Sequence, residues 1–301
     1  MAHGMATAHA AATAACSGGV DTGFVALGYA KVAFLGVVQG ISELMPISST
    51  AHMRVVPALL GWQDPGSAFS AAMQLAALAA VLSYFWSDVA KLSFGALGAL
   101  FRGRFGDPNF RMACWIVLAT VPIVIGGVLL SPILNACGSP LRSLWAVGIA
   151  CFVMAALLAL AELFARHRRT MEKAGLWDAL LVGVAQVGAL VPGVSRSGST
   201  LTAALALGFK REEAARFSFL LGIPAIALAG VKELWELHRV HLDGHGWSVL
   251  AVGIAVASVS AFVAIWALMR VLERFSTWPF VIYRAVLGAV IVAGAASGLL
   301  H

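Results

Sequence analysis

Two short segments of the 301-residue chain concentrate polar chemistry within apolar surroundings. The first reads QGISELMPISSTAH over 39–52. Gln39 and Glu43 stand four apart, so a helix puts them on one face. Two oxygen ligands there suit a hard divalent cation, Mg²⁺ or Ca²⁺. Pro46 ends that helix, and Ser48 or Ser49 caps the next. A helix start of this kind offers free N–H groups and the positive dipole end, which bind phosphate. The Ser48, Ser49 and Thr50 hydroxyls flank it. His52 follows Ser49 by three and shares its face, placed as a base.

The second segment reads PGVSRSGST over 192–200. Pro192 and Gly193 force a turn. Ser195, Ser197 and Thr200 bring hydroxyls to another helix start, and Gly198 permits close backbone approach. Arg196 carries the planar fork that pairs phosphate oxygens in a bidentate way. The two segments together predict a phosphate or pyrophosphate site. Ser49, His52, Glu43 and Arg196 are its reactive groups. Ser48, Thr50, Gly193, Ser195, Ser197 and Thr200 are its phosphate ligands, and Gln39 with Glu43 is its metal pair. A purely structural Glu43–Arg196 ion pair would not require the flanking hydroxyls.

These segments must be positioned by elements in a membrane. The chain is 60% hydrophobic and 11% charged, where a soluble protein carries about 25% charge. Its mean hydropathy is +0.90. A soluble enzyme, a disordered chain and a disulfide-stapled module are excluded. The net charge of +6 comes without a dense basic stripe interleaved with aromatics, which argues against a nucleic-acid partner. The four cysteines, Cys16, Cys114, Cys137 and Cys151, form no metal-ligand spacing. Residues 1–25 contain no Lys or Arg and read as a poorly ordered extension. Residues 26–301 form a single integral membrane domain.

Apolar runs at about 67–87, 112–131, 145–165, 217–236, 248–270 and 280–300 are each long enough to span as helices. Glu162, Lys232, Glu236 and Arg284 lie near span ends, where long side chains snorkel to water. The stretches 27–62 and 178–208 are interrupted by Pro, Gly and hydroxyl clusters. Lys and Arg concentrate in 88–111, 166–177 and 209–216, which the positive-inside rule assigns to the cytoplasm. The stretch 178–208 is bounded by basic segments on both sides, so it enters and leaves on one face. The expected fold is therefore an all-α polytopic membrane protein with six full crossings and two re-entrant hairpins. GVVQGISELMPISST (36–50) is similar to GVAQVGALVPGVSRSGST (183–200), and Phe69-Ser70 to Phe217-Ser218, at an offset near 148. One copy leads outward and the other inward, as in inverted-topology repeats. Their bounds are about 27–131 and 178–270.

Both motifs resemble those of the undecaprenyl-pyrophosphate phosphatase family of bacitracin-resistance membrane proteins. The family pattern runs Glu/Gln-xxx-Glu, Pro-x-Ser-Ser-Thr-x-His and Pro-Gly-x-Ser-Arg-Ser-x-x-Thr. It is met by Gln39, Glu43, Pro46, Ser48, Ser49, Thr50, His52, Pro192, Gly193, Ser195, Arg196, Ser197 and Thr200. The likeness continues through QLAALAAV (74–81), EEAARFSFLLGIP (212–224) and PFVIYR (279–284). Gln39 stands where many members carry Glu, and Ala51 where Gly is common.

The resemblance implies hydrolysis of undecaprenyl pyrophosphate to the monophosphate and inorganic phosphate, recycling a lipid carrier for cell-wall synthesis. It also implies a divalent-cation requirement and a location in the bacterial inner membrane, with the site opening toward the periplasm. The partners are then the polyprenyl pyrophosphate substrate and membrane lipids, with a homodimer as a candidate assembly. Ser49 is the nucleophile in one reading, forming a phosphoseryl intermediate; His52 is the nucleophile in the other. A polyprenyl-phosphate transporter or flippase with the same pocket is the alternative function. A lipid phosphatase of the acid-phosphatase type is disfavoured, because no PSGH motif is present.

Overall fold

The structure is a computed structural model and describes residues 22–134 and 139–300. The extension, apart from its last residues, and Cys16 and Cys137 lie outside the described residues. Those described form α1 (Phe24–Leu44), α2 (Ser49–Leu59), α3 (Ser67–Ala72), α4 (Gln74–Tyr84), α5 (Trp86–Phe101), α6 (Pro108–Leu134), α7 (Leu144–Phe164), α8 (Leu176–Val187), α9 (Arg196–Ala206), α10 (Arg211–Arg239), α11 (Gly244–Arg274) and α12 (Trp278–Ser297). Among the described residues the only β-pairing is an isolated bridge between Arg169 and Phe209.

Six helices are long and apolar enough to cross a membrane: α1, α6, α7, α10, α11 and α12. By length and composition alone the number equals the six crossings expected, but the membership differs. The run at 67–87 is not a single helix. It breaks at Met73, and the chain turns by 83° on entering α5. Asp88 in the first turn of α5 is ion-paired to Arg216 of α10, which anchors α5 to the basic end of the molecule. Apolar content sets the length of a run but not the direction of its axis. The sixth helix is instead α1, the first limb of the first hairpin, broken near its start at Gly28 (φ 71°, ψ 175°).

Each hairpin closes at its base. The Phe24 N–H donates to the Pro65 carbonyl at 3.1 Å, joining the start of α1 to the loop beyond α2. The Arg168 and Arg169 N–H groups donate to Gly208 O at 2.9 Å, and Lys210 N–H to Arg169 O at 2.9 Å. The two ends of the α8–α9 hairpin therefore lie side by side. The second limbs, α2 and α9, have 11 residues each, a rise of about 16 Å. That is about half the hydrocarbon thickness of a bilayer.

The two halves repeat one another in packing. α1 lies along α11, and α8 lies along α6. Gly36 and Gly183 occupy equivalent positions at these crossings. A methyl group at Gly36 would lie 2.8 Å from Gly253 O, and one at Gly183 would lie 2.3 Å from Ala119 O. Glycine alone permits these backbones to approach so closely. Many large apolar side chains face outward, including Val128, Leu129, Phe164 and Val259, as a lipid-facing surface requires.

The basic end is tied by ion pairs. Arg169 grips Asp178 through two bonds of 2.8 and 2.6 Å. Arg211 pairs with Glu162, which also accepts from the Thr277 hydroxyl at 2.9 Å. Glu162 is thus buried and structural, not snorkelling. Lys232 and Glu236 form an exposed pair, as their place near a span end suggests.

Candidate active site

The two hairpin tips are built alike. α1 ends at Leu44, Met45 turns extended, and α2 begins after Ser48. α8 runs through a 3₁₀ turn at Gly188–Leu190, Val191 turns extended, and α9 begins after Ser195. Ser48 (φ 73°) and Ser195 (φ 70°) both lie at positive φ, a region that disfavours side-chain-bearing residues and recurs at functional sites. Each caps its helix: the Ser48 hydroxyl accepts from Ala51 N–H at 3.4 Å, and that of Ser195 from Gly198 N–H at 3.2 Å. The first-turn N–H groups beyond them have no intrahelical acceptor.

The tips meet. The Ser197 hydroxyl lies 3.1 Å from both the Glu43 and Met45 carbonyls and donates to them. Gly193 N–H donates to Thr50 Oγ1 at 3.1 Å. The Arg196 guanidinium reaches the Glu43 carboxylate, with Nη2 3.6 Å from Oε1. All three Arg196 nitrogens are buried without a hydrogen-bond acceptor.

Glu43 organises the first tip. Its Oε2 accepts the Ser49 hydroxyl at 2.6 Å and the Gln39 amide at 3.0 Å. Glu43, Gln39, Ser48 and His52 are buried, whereas Ser49 is partly exposed and Thr50 exposed. Ser49 and Thr50 are therefore the accessible residues of the first tip. Ser48 Oγ and Thr50 Oγ1 lie 3.1 Å apart, and the Ser195 and Ser197 hydroxyls 3.2 Å apart. Thr200 faces elsewhere. It is fully buried, and its hydroxyl is bonded to Arg196 O at 2.8 Å and to Ser218 of α10.

His52 does not face Ser49. Its Nδ1 lies 2.7 Å from Ser48 O, and its Nε2 lies 2.6 Å from the Tyr283 hydroxyl. A carbonyl only accepts, so Nδ1 carries a proton; in the neutral ring Nε2 then accepts from Tyr283. The group in contact with the Ser49 hydroxyl is the Glu43 carboxylate.

Two residues of α12 complete the arrangement, and sequence reasoning missed both. Tyr283 stacks on His52 with ring centroids 5.6 Å apart. Arg284 is 1% exposed, which corrects its reading as a snorkelling residue. It donates to Pro46 O at 3.1 Å in one tip, and to Gly193 O at 2.8 Å and Val194 O at 3.0 Å in the other. The available signal was that Arg284 is the only charged residue in the run 280–300.

A hard cation fits the first tip. Gln39 Oε1 is buried without a partner, beside the Glu43 carboxylate. Among the described residues no group of three His, Cys, Asp or Glu side chains gathers to hold a metal. Further ligands would have to be phosphate oxygens and water.

An apolar cavity of about 670 Å³ adjoins the second tip, between α7 and the α8–α9 hairpin. It runs from Val194 and Ser199 along Met154 and Leu157 to Phe164 and Ala206.

The sequence matches the family model described as bacitracin resistance protein BacA over residues 32–290. It is 76% identical over 263 residues to a protein of Mesorhizobium japonicum named undecaprenyl-diphosphatase 2, covering 87% of this chain and all of that one. A Gloeobacter violaceus undecaprenyl-diphosphatase is 50% identical, over 91% of this chain and 94% of its own. One of Synechococcus elongatus is 48% identical, over 89% and 93%.

Proposed function

The chain belongs to the bacitracin resistance protein BacA family, and on that premise we propose that the pocket between its two serine-rich tips is where a lipid pyrophosphate is cleaved. The protein is a multi-pass membrane hydrolase with undecaprenyl-diphosphatase activity. Its substrate is a polyprenyl pyrophosphate, and its products are undecaprenyl phosphate and inorganic phosphate. The reaction returns the lipid carrier to cell-wall synthesis.

One observation carries the assignment of the site. The hydroxyl of Ser49 lies 2.6 Å from a carboxylate whose other oxygen faces the Arg196 guanidinium. Nucleophile, proton acceptor and anion-binding group converge. The Ser49 oxygen attacks the terminal phosphorus while its proton passes to Glu43. A Ser49 O–P bond forms, and the bond from phosphorus to the bridging oxygen breaks, releasing the lipid monophosphate. Water then attacks the phosphoseryl group, phosphate departs, and the serine oxygen regains a proton. Arg196 and the first-turn N–H groups of α2 and α9 stabilise the charge on the equatorial oxygens. His52, held between Ser48 O and Tyr283, positions the cap of α2. Gln39 and Glu43 would hold a divalent cation, Mg²⁺ or Ca²⁺, which supplies charge neutralisation to the pyrophosphate oxygens.

The basic end of the bundle is assigned to the cytoplasm by its Lys and Arg content. The hairpins are then re-entrant, with tips near mid-depth, and the pocket opens toward the periplasmic side of the inner membrane. A head group drawn to that depth must send its chain onward into the other leaflet. The apolar cavity beyond Val194 runs that way and takes the first isoprene units. All of these groups come from one chain, so the chemistry does not call for a second copy.

The test is phosphate release from a short-chain prenyl pyrophosphate by purified protein, with and without chelator. Arg196→Ala should abolish most of the turnover; release near the wild-type rate would remove the pocket from the reaction.

A further inference from the structure

We propose that Arg284 supplies the uncompensated positive charge that draws the pyrophosphate between the tips, and that it acts as a positioning residue of the reaction. The inference rests on the tips being the cleavage centre.

The argument begins with the charges buried around the tips. Glu43 and Arg196 face one another, so their charges offset. His52 has no carboxylate partner and makes both its bonds as a neutral ring can, through Nδ1–H to a carbonyl and Nε2 to a hydroxyl. Arg284 remains. It is 1% exposed, and among the described residues no carboxylate approaches it within the 4.0 Å of an ion pair. Among the described residues its bonds are to three backbone carbonyls, and its Nε has no acceptor there. Carbonyl dipoles solvate a cation but do not neutralise it. A buried charge without a counter-ion is unfavourable, and this one sits where an anionic substrate must bind. The pyrophosphate is the missing counter-ion.

The bonds of Arg284 serve the same end. By holding Pro46 O in one tip and Gly193 O and Val194 O in the other, it sets the spacing between the two helix starts. Its guanidinium also lies against the first turn of α9, where a methyl group at Gly198 would be 2.8 Å from Nη1. The cation therefore stands behind the N–H groups that face the anion and adds its field to theirs.

Two variants of the full chain in detergent separate charge from bonding. Arg284→Gln keeps an amide donor and removes the charge; Arg284→Lys keeps the charge and removes the fork. The readouts are kcat and KM for a prenyl pyrophosphate, competitive inhibition by inorganic pyrophosphate, and the thermal unfolding midpoint. Arg284→Gln should raise KM and the pyrophosphate inhibition constant at least tenfold. Arg284→Lys should bring that constant back to within about threefold of wild type, while kcat stays low because the tips are less well spaced. A Gln variant that unfolds normally and is inhibited as wild type is would overturn the proposal. Should the Gln variant not fold, the Lys variant decides. Tenfold weaker pyrophosphate inhibition at a native unfolding midpoint would reduce Arg284 to a staple. Arg196→Ala run in parallel distinguishes the two failures. If it is inactive while Arg284→Gln is normal, the cleavage centre stands and only this inference falls.

Discussion

Ser49 and Glu43 lie on opposite sides of the break at Pro46, yet the hydroxyl of one rests 2.6 Å from the carboxylate of the other. The break makes this contact possible, because it folds the start of α2 back over the last turn of α1. Ser49→Ala should remove turnover and, with it, any acid-stable phosphate on the enzyme. Glu43→Gln should slow formation of the phosphoenzyme by about 10²–10⁴. Rapid acid quenching with labelled substrate measures both. Phosphate recovered on His52 after a parallel alkaline quench, which preserves an acid-labile phosphoramidate, would transfer the role of nucleophile to the imidazole.

Arg196 should be sensitive to changes that never touch the substrate. Its guanidinium packs against Gly222 of α10, where an added methyl group would lie 2.1 Å from Nη1. Gly222→Ala must displace the guanidinium from Glu43. The expected result is a fall in kcat approaching that of Arg196→Ala, about 10²–10³, with the unfolding midpoint little changed. Wild-type kcat in Gly222→Ala would mean that Arg196 does not act from the observed position.

In the proposed cation site Gln39 would be a neutral ligand at a place suited to a charged one. Gln39→Glu adds a second carboxylate beside Glu43, and ligand charge tunes cation affinity. The concentration of Mg²⁺ or Ca²⁺ giving half-maximal activity should fall about tenfold. Titration of chelated enzyme checks this, and an unchanged midpoint would place the cation elsewhere.

Tyr283 should matter through His52 alone. Tyr283→Phe keeps the stacked ring and removes the hydroxyl that meets Nε2. With Nε2 released, the ring is free to turn, and the cap of α2 loosens. A modest loss, about tenfold in kcat/KM, is expected, with the phosphoenzyme still on serine. Loss as complete as that of Ser49→Ala would show that the pair takes part in the chemistry.

The apolar cavity predicts a chain-length effect. Ala206→Trp at its far end should raise KM for a C55 pyrophosphate while leaving that for a C15 substrate unchanged. Equal effects on both would mean that the chain leaves the pocket by another route.

Much of this arrangement is legible in the amino-acid order, and the reasons are local. Pro46 and Pro192 mark the breaks, the serines mark the helix starts, and the Lys/Arg-rich segments flank the second hairpin at both ends. The near-repeat of 36–50 in 183–200 brings Glu43 and Arg196 to one place without a structure. What escapes is set by packing over long separations. His52 was placed by its spacing from Ser49, yet its partner is Tyr283, 231 residues away. Arg284 reads as an end-of-span cation until α12 is laid across both tips. The bend between α4 and α5 is equally silent, since an apolar run carries no instruction for its axis.

Ser49 and Arg196 follow Ser48 and Ser195, so they hold the same register position in the two copies of one motif. A twofold pair of identical arms would place two hydroxyls there, or two cations, and neither pair alone both attacks and clamps a phosphoryl group. Fusion of the arms into one polypeptide releases that position from symmetry, letting each copy specialise. The same place in each tip thus carries a different group, a hydroxyl in one and a guanidinium in the other.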